Sequence, residues 1–502
     1  MAGGSTITKS PFSKNLFFAL VFIFSASTLV IATNATASTF IPLDDQVYDL
    51  LYRLEAEGVI QSGLLTTKPL GRQEAVRLLL EAEKSSKTSS SFIQNLIKSL
   101  RERLKNDIGE TKFLQPVDSL YISYLYADSD IQELYYNNDG DHYDKGSNIR
   151  GGFSSRAELD WLSLYINPEL RYSEDDTDLV IKRGYGVLSF LGLDLQIGKD
   201  SQWWGPGYHG AILLTNNPEP FTMVRLTNTQ PVLLPWIFKY LGPFRFTFFT
   251  TKLEEDRKDV PEPYLWGMRL NFKPHPYFEF GLTRTALLGG EGRSEDLKTW
   301  WKSLTGRGEN LAGVEAGDQR AGFDLKLTLP LKWQPFQVYA EAAGEDEAGG
   351  LPTKWAYITG LYLPRLFNFE RIDLRAEYAT NHVSGHPNVW YKHHIYTAGY
   401  TYKGRIIGHH MGTDSKDFFM ELSYLVPEKE GKISLFYDRE EHNLSKPIRE
   451  RKNEVGLTAC GELMKGLELK ASYGYGSFKN FDKISGQDKK INIITGVINY
   501  NF

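Results

Sequence analysis

The chain has 502 residues, of which 41% are hydrophobic and 24% charged, with a formal charge of −5. That mild acidity excludes general nucleic-acid binding, and a single cysteine, Cys460, excludes an intramolecular disulfide. Aromatic content of 13% favours a membrane barrel with aromatic girdles over a soluble β protein, although both fit the mild hydropathy.

Lys9 and Lys14 precede an uncharged run from Leu16 to Ile31, and Ala35-Thr36-Ala37 follows. The pattern predicts a signal peptide over residues 1–37 and a mature chain beginning at Ser38 with a formal charge of −7. No Cys follows the cleavage site, which argues against a lipoprotein. The apolar run is short for a membrane helix, and no later run reaches 18 residues, so no transmembrane helix is expected.

Residues 38–115 read as a small helical bundle. Val47, Leu50, Leu51 and Leu54 follow helical spacing, with Asp44 or Asp45 to cap the helix and Gly58 to end it. Pro69 opens a second helix carrying Ala75, Val76, Leu79 and Leu80. Ser85 to Ser91 is a polar loop. Phe92, Leu96, Leu100 and Leu104 form the stripe of a third helix. The segments YDLLYRLEAEGVI and PLGRQEAVRLLLEA resemble a single S-layer-homology-type unit.

From Val117 onward the period becomes two. Leu193, Leu195 and Ile197 alternate with Asp194 and Gln196; Trp266, Met268, Leu270 and Phe272 with Gly267, Arg269 and Asn271. Phe323, Leu325 and Leu327 alternate with Asp324 and Lys326, and Ile372, Leu374 and Ala376 with Asp373, Arg375 and Glu377. Strands of roughly ten residues suit a tilted bilayer crossing. The expected fold is all-β: a transmembrane antiparallel β-barrel of about eighteen strands over residues 116–502, with the helical unit on the periplasmic side. Long linkers at 128–148, 289–320, 379–393 and 438–451 read as extracellular loops or lumen inserts. The last strand, Ile491 to Phe502, puts Ile494, Ile498, Tyr500 and Phe502 on one face and Thr495, Asn499 and Asn501 on the other. It resembles the closing strand of bacterial outer-membrane barrels, whose assembly machinery reads such an end.

The stretch IGKDSQWWGPGYHGAILLTNNPEPF, Ile197 to Phe221, carries the most specific motif. Gly205-Pro206-Gly207 forces a turn, Trp203, Trp204, Tyr208 and His209 flank it, and Asn216-Asn217-Pro218 makes a second turn. With the N-terminal segments and the terminal Phe502, this stretch resembles the Wzi family of capsule-assembly outer-membrane proteins. The resemblance implies a barrel of about eighteen strands with a periplasmic helical bundle. It also implies lectin-like, non-catalytic binding or organisation of capsular or other extracellular polysaccharide at the cell surface. The implied partners are surface polysaccharide, outer-membrane lipid, the barrel-assembly machinery through the strand ending in Phe502, and a polysaccharide export complex. The competing reading is a carbohydrate-selective porin that conducts small solutes; a third is an outer-membrane enzyme.

Trp203, Trp204 and Tyr208 are candidates for stacking on sugar rings, with packing inside the barrel as the plain alternative. Trp300-Trp301 and Trp390-Tyr391 fall in expected loops, where exposed aromatics suggest ligand contact. Asp160, Asp194, Arg269, Lys326, Asp373, Arg375 and Glu377 are expected to face the lumen, either binding charged sugars or compensating one another. The pairs His393-His394 and His409-His410 would point to opposite faces of a regular strand, so no metal site and no cofactor is expected. No GxSxG, HExxH or Walker motif is present, so no catalytic residue is assigned.

Overall fold

The computed structural model describes residues 36–86, 90–109, 112–130, 134–174, 176–305, 317–348, 351–387 and 389–502. The expected signal peptide falls almost wholly on residues 1–35, outside the described part.

Among the described residues, eighteen antiparallel strands close into one barrel. They are β1 Lys112–Ala127, β2 Gly146–Leu159, β3 Leu162–Tyr172, β4 Thr177–Phe190, β5 Leu193–Asp200 and β6 Phe221–Asn228. Next come β7 Pro243–Lys252, β8 Tyr264–His275, β9 Phe278–Leu288, β10 Asp318–Leu329, β11 Phe336–Ala348 and β12 Leu351–Leu363. The last are β13 Ile372–Thr380, β14 Lys416–Val426, β15 Gly431–His442, β16 Glu450–Met464, β17 Leu467–Lys479 and β18 Lys489–Asn501. Each strand pairs with its sequence neighbours, and β18 closes on β1 with Ile122 opposite Ile498. Closure leaves no unpaired edge. Strand β1 starts at Lys112, ahead of the visible alternation, because its register shifts between Gln115 and Ser119, across Pro116. The irregularity breaks the period-two pattern there.

The barrel is polar inside and apolar outside. Leu120, Ile122, Leu164, Ile166, Leu325, Leu422, Leu435, Leu457, Ile494 and Ile498 are exposed on the outer wall. Inward residues such as Arg269, Asp324, Lys326 and Glu377 are buried. This inverts a soluble protein and matches a wall that faces lipid. Exposed Trp161, Phe190, Trp236, Tyr240, Trp333, Phe367 and Phe502 ring one rim, and Tyr126, Tyr172, Tyr357, Tyr378 and Tyr473 ring the other. Turns at the first rim are short, two residues at 160–161, 191–192, 276–277 and 465–466. The opposite rim carries long connections at 128–145, 201–220, 253–263, 289–317 and 381–415.

Three helices, α1 Val47–Ala56, α2 Arg72–Ser85 and α3 Ser91–Arg103, share one apolar core at the short-turn end. Asp45 Oδ1 accepts from Val47 N at 2.9 Å, and Ser90 Oγ caps α3 through Ile93 N. The bundle is fastened to the barrel by charge. Glu55 of α1 accepts from Lys273 Nζ and Lys326 Nζ, both at 2.7 Å. Arg53 pairs with Asp373, and Arg103 with Glu430 at 2.9 Å and Glu468 at 2.8 Å.

Candidate functional site

The lumen is occupied by two segments that enter from the long-loop end, 201–220 and 381–415, and by the α1–α2 connection of the helical unit from the other end. Trp203–Trp204 form a two-residue strand antiparallel to Thr67–Lys68, with Trp204 opposite Thr67. Gly205 N donates to Thr66 O at 2.9 Å. The N-terminal unit and the aromatic turn therefore meet through backbone pairing inside the barrel.

Local sequence explains the tightness of the turn. Gly205 has φ +137°, and a Cβ at Gly207 would lie 1.9 Å from Gly210 O. No other residue fits there. The freed backbone N–H groups are met by carboxylates of the wall. Glu377 accepts from Tyr208 N at 2.8 Å and Gly210 N at 3.0 Å, and also from Tyr339 OH at 2.7 Å. Glu341 accepts from Ile212 N at 2.9 Å, and Glu345 from Tyr391 N at 3.1 Å. These glutamates lie on inward positions of β11 and β13. Their chemistry here is to anchor inserted backbone, which buried N–H groups require.

The four aromatics Trp203, Trp204, Trp390 and Tyr391 are buried, the last three within one core with Phe249, Tyr396 and Tyr400. Trp203 Nε1 donates to Gly207 O at 3.2 Å and Trp390 Nε1 to Lys354 O at 2.9 Å. Tyr391 OH donates to Ile212 O at 2.7 Å and receives His409 N at 3.0 Å, stitching one insert to the other. The expectation that Trp390-Tyr391 sit in an exposed loop is corrected: their segment folds inward. Tyr208 is half-buried, its ring 4.2 Å from the Arg375 guanidinium and its hydroxyl receiving Lys432 at 3.2 Å. Burial pushes its hydroxyl well above the ordinary tyrosine range. Asn216 holds the first long loop through Asn137 O and Asp139, and Asn217 Nδ2 donates to Ile406 O at 2.9 Å.

Trp300-Trp301 lie elsewhere. They belong to helix α4, Leu297–Thr305, which lies on the outer wall rather than in an open loop. Trp266 Nε1 donates to Ser303 Oγ at 2.9 Å, and Arg284 caps the helix end through Ser303 O at 2.8 Å and Leu304 O at 3.1 Å. Trp300 packs edge-on against Tyr264, while Trp301 is 44% exposed.

Six of the seven expected lumen charges are buried, and each is accounted for by neighbours. Arg269 forks onto Asp324 at 2.7 and 3.0 Å and donates to Thr67 Oγ1 at 2.7 Å. Lys326 bridges Glu55 and Glu279, Asp373 accepts from Tyr362 OH at 2.6 Å, and Arg375 also covers the Tyr362 ring at 3.8 Å. Asp194 accepts from Ser189 and Thr229. The seventh is corrected: Asp160 sits in the turn between β2 and β3 at φ +42°, its carboxylate paired with Lys112 near solvent. The turn breaks the alternation that had placed it inside.

Lys68 is boxed by three rings, with Nζ 4.8 Å from Trp203, 5.3 Å from Tyr48 and 5.4 Å from Tyr52. Burial pushes its ammonium down to about 8, with Asp49 opposing and Arg375 adding to the shift. Burial also pushes Glu55 up, but Lys273 and Lys326 overcome it and hold its carboxyl at about 2.

The histidines also depart from expectation. His409 and His410 lie outside any strand, so they do not diverge; their rings are 4.5 Å apart and both approach Asp417. Burial, with His209 beside it, pushes His409 down to about 3 and His410 well below the ordinary range. The sequence signal for this cluster was His209, which belongs to the WWGPGYHG motif.

Among the described residues, the loops at the long-loop rim include an open cleft of about 530 Å³, lined by Glu255, Glu262, Glu291, Arg293 and Glu295.

A family model described as "Capsule assembly protein Wzi" matches residues 126–493. An uncharacterized 55.8 kDa protein from the cps region of Klebsiella pneumoniae is 28% identical over 340 residues, 66% of this chain and 63% of that protein's length. A solved structure described as Wzi, an outer membrane protein involved in group 1 capsule assembly in Escherichia coli and a carbohydrate binding β-barrel, superposes with a TM-score of 0.75 at 21% identity, over 93% of this chain and 100% of that one.

Proposed function

The chain belongs to the Wzi family of capsule assembly proteins, and from that premise we propose that it binds and organises capsular or other extracellular polysaccharide at the surface of the outer membrane, without catalysis. The observation that carries this reading is the occupied lumen. An eighteen-stranded barrel has room for an aqueous channel, yet here two inserted segments and Thr66–Lys68 fill the interior with buried aromatics and ion pairs such as Arg269–Asp324 and Lys326–Glu55. That supports a surface scaffold over the carbohydrate-selective porin.

The apolar outer wall and its two aromatic rims support an outer-membrane location, with residues 1–37 removed as a signal peptide. The helical unit from Ser38 to the start of β1 then sits on the periplasmic side, and the long loops face outward. The glycan contact belongs to those loops and to the acidic cleft with Arg293. The aromatics Trp203, Trp204, Trp390 and Tyr391 act beneath it, fixing loop position. Phe502, exposed at the short-turn rim beside Asp118, is the end offered to the barrel-assembly machinery. An export complex would approach the helical unit.

The direct test is cosedimentation of the full-length protein in liposomes with the purified polysaccharide of the producing strain. Retention above an unrelated barrel, reduced by Glu291→Ala with Arg293→Ala, is expected. Equal retention by both barrels would defeat the reading.

A further inference from the structure

The second inward segment, the aromatic turn and the wall meet at a cluster of buried ligand-type side chains. His209 Nε2, His410 Nε2 and an oxygen of Asp417 lie within 4.8 Å of one another. His209 Nε2 is 3.5 Å from Asp417 Oδ2 and 3.7 Å from Asp438 Oδ1; His410 Nε2 is 3.4 Å from Asp417 Oδ2. These separations are too long for good hydrogen bonds. The two distances to the shared Asp417 oxygen do match the edge of a tetrahedron, about 3.3–3.6 Å, that follows from Zn–N and Zn–O bonds of about 2.0–2.2 Å.

The second observation is independent of spacing. His209 Nε2, His410 Nε2, both oxygens of Asp417 and Asp438 Oδ1 have no hydrogen-bond partner among the described residues, although all are buried. Buried polar atoms without partners are costly; with His409 Nε2 six gather here, and the five named above call for a shared occupant. The charge around them calls for a cation. Asp417, Asp438, Glu440 and Glu454 share the region with one ammonium, Lys452, which is 2.9 Å from Asp438 Oδ2, 3.4 Å from Glu454 and in contact with Glu440.

We propose that His209, His410 and Asp417 form a divalent-cation site, best suited to Zn²⁺, that staples both inserted segments to β14, with Asp438 of β15 beside His209. Two imidazoles and one carboxylate, with water completing the shell, are a donor set of the kind first-row divalent ions take. The surroundings are built to hold it. Lys452 and Tyr136 OH occupy the other Asp438 oxygen, at 2.9 and 3.4 Å. Phe419 stacks on His209 at 4.0 Å, and Tyr136 stacks on His410 at 3.9 Å, roofing the site from the first long loop. His409 is not a ligand. Its Nδ1 accepts from Met411 N at 3.3 Å, so its Nε2 carries the proton; that N–H stands 3.8 Å from Asp417 and has no hydrogen-bond partner among the described residues. A bound His410 carries its proton on Nδ1, 3.4 Å from the Asn137 amide. Asn137 Nδ2 makes its short bond to His209 O, at 2.7 Å, and so ties the loop to the first ligand.

The test uses the full chain in detergent, stripped with a chelator and titrated with Zn²⁺ by calorimetry and with Co²⁺ by visible absorption. One Zn²⁺ per chain and four-coordinate Co²⁺ ligand-field bands are expected. His410→Gln and Asp417→Asn should each weaken binding by at least about tenfold, with barrel folding checked by heat-modifiable gel mobility. Should Asp417→Asn fail to fold, His410→Gln decides. His275→Gln, at the opposite rim, should bind as the parent does. No stoichiometric binding by the folded parent, or unchanged affinity in His410→Gln, would overturn the proposal, as would an equal loss in His275→Gln.

Discussion

Lys68 shows how one side chain reports on the whole plug. Its three-ring box attracts the ammonium, yet burial outweighs the attraction and lowers it to about 8. The sign of the linkage follows. Below pH 8 the residue is charged in both folded and unfolded chains, and the full cost is present. Between about 8 and the ordinary lysine value of 10.5 the unfolded chain holds more protons, so stability rises with pH. Lys68→Met should abolish that rise, read as the difference in unfolding midpoint between pH 7.5 and 10 for parent and variant. A parent slope equal to the variant's would refute the assignment. Glu377 is the other informative residue. Glu377→Ala leaves the Tyr208 and Gly210 N–H groups buried and unpaired, at about 1–3 kcal/mol each. Intermittent channel openings in planar bilayers should appear in the variant and be absent from the parent.

At the scale of elements, the helical bundle is held to the barrel chiefly by ion pairs, and acid should release it. Glu55 contributes docking stability that is complete above the usual glutamate value of 4.5 and is lost as pH falls toward about 2. Glu55→Gln leaves Lys273 and Lys326 with one less carboxylate in a buried site and should cost roughly 3–5 kcal/mol. Protease sensitivity of the α1–α3 segment at neutral pH would show it. Helix α4 is fastened differently, through Arg284 and Ser303, with Leu297 and Trp301 left exposed on the lipid-facing wall. Arg284→Ala should free it, read as loss of Trp quenching by brominated lipid. The three N-terminal helices and the closing strand were legible because each buries or exposes one continuous stripe, and α3 also has its Ser90 cap in place. Helix α4 was not, because nine residues inside a long linker carry too few turns to show a period.

For the whole molecule, the barrel could be read from alternation, since lipid outside and charge inside impose period two on every wall strand. The plug could not. Segments 201–220 and 381–415 have loop composition, and only tertiary contact with Glu341, Glu345 and Glu377 draws them inward. That is why Trp390 and Tyr391 looked like exposed glycan platforms and prove to be core. The same contacts bring His209 to His410 and Asp417, two distant parts of the chain that no local spacing could have linked. The motif WWGPGYHG thus marks the keystone of the plug, and the proposed polysaccharide contact is assigned to the outer loops above it. Deleting the gene and comparing cell-bound with shed polysaccharide tests the central claim most directly. The account predicts that total polymer is maintained while the cell-bound share falls, restored by the parent gene; an unchanged partition would contradict it.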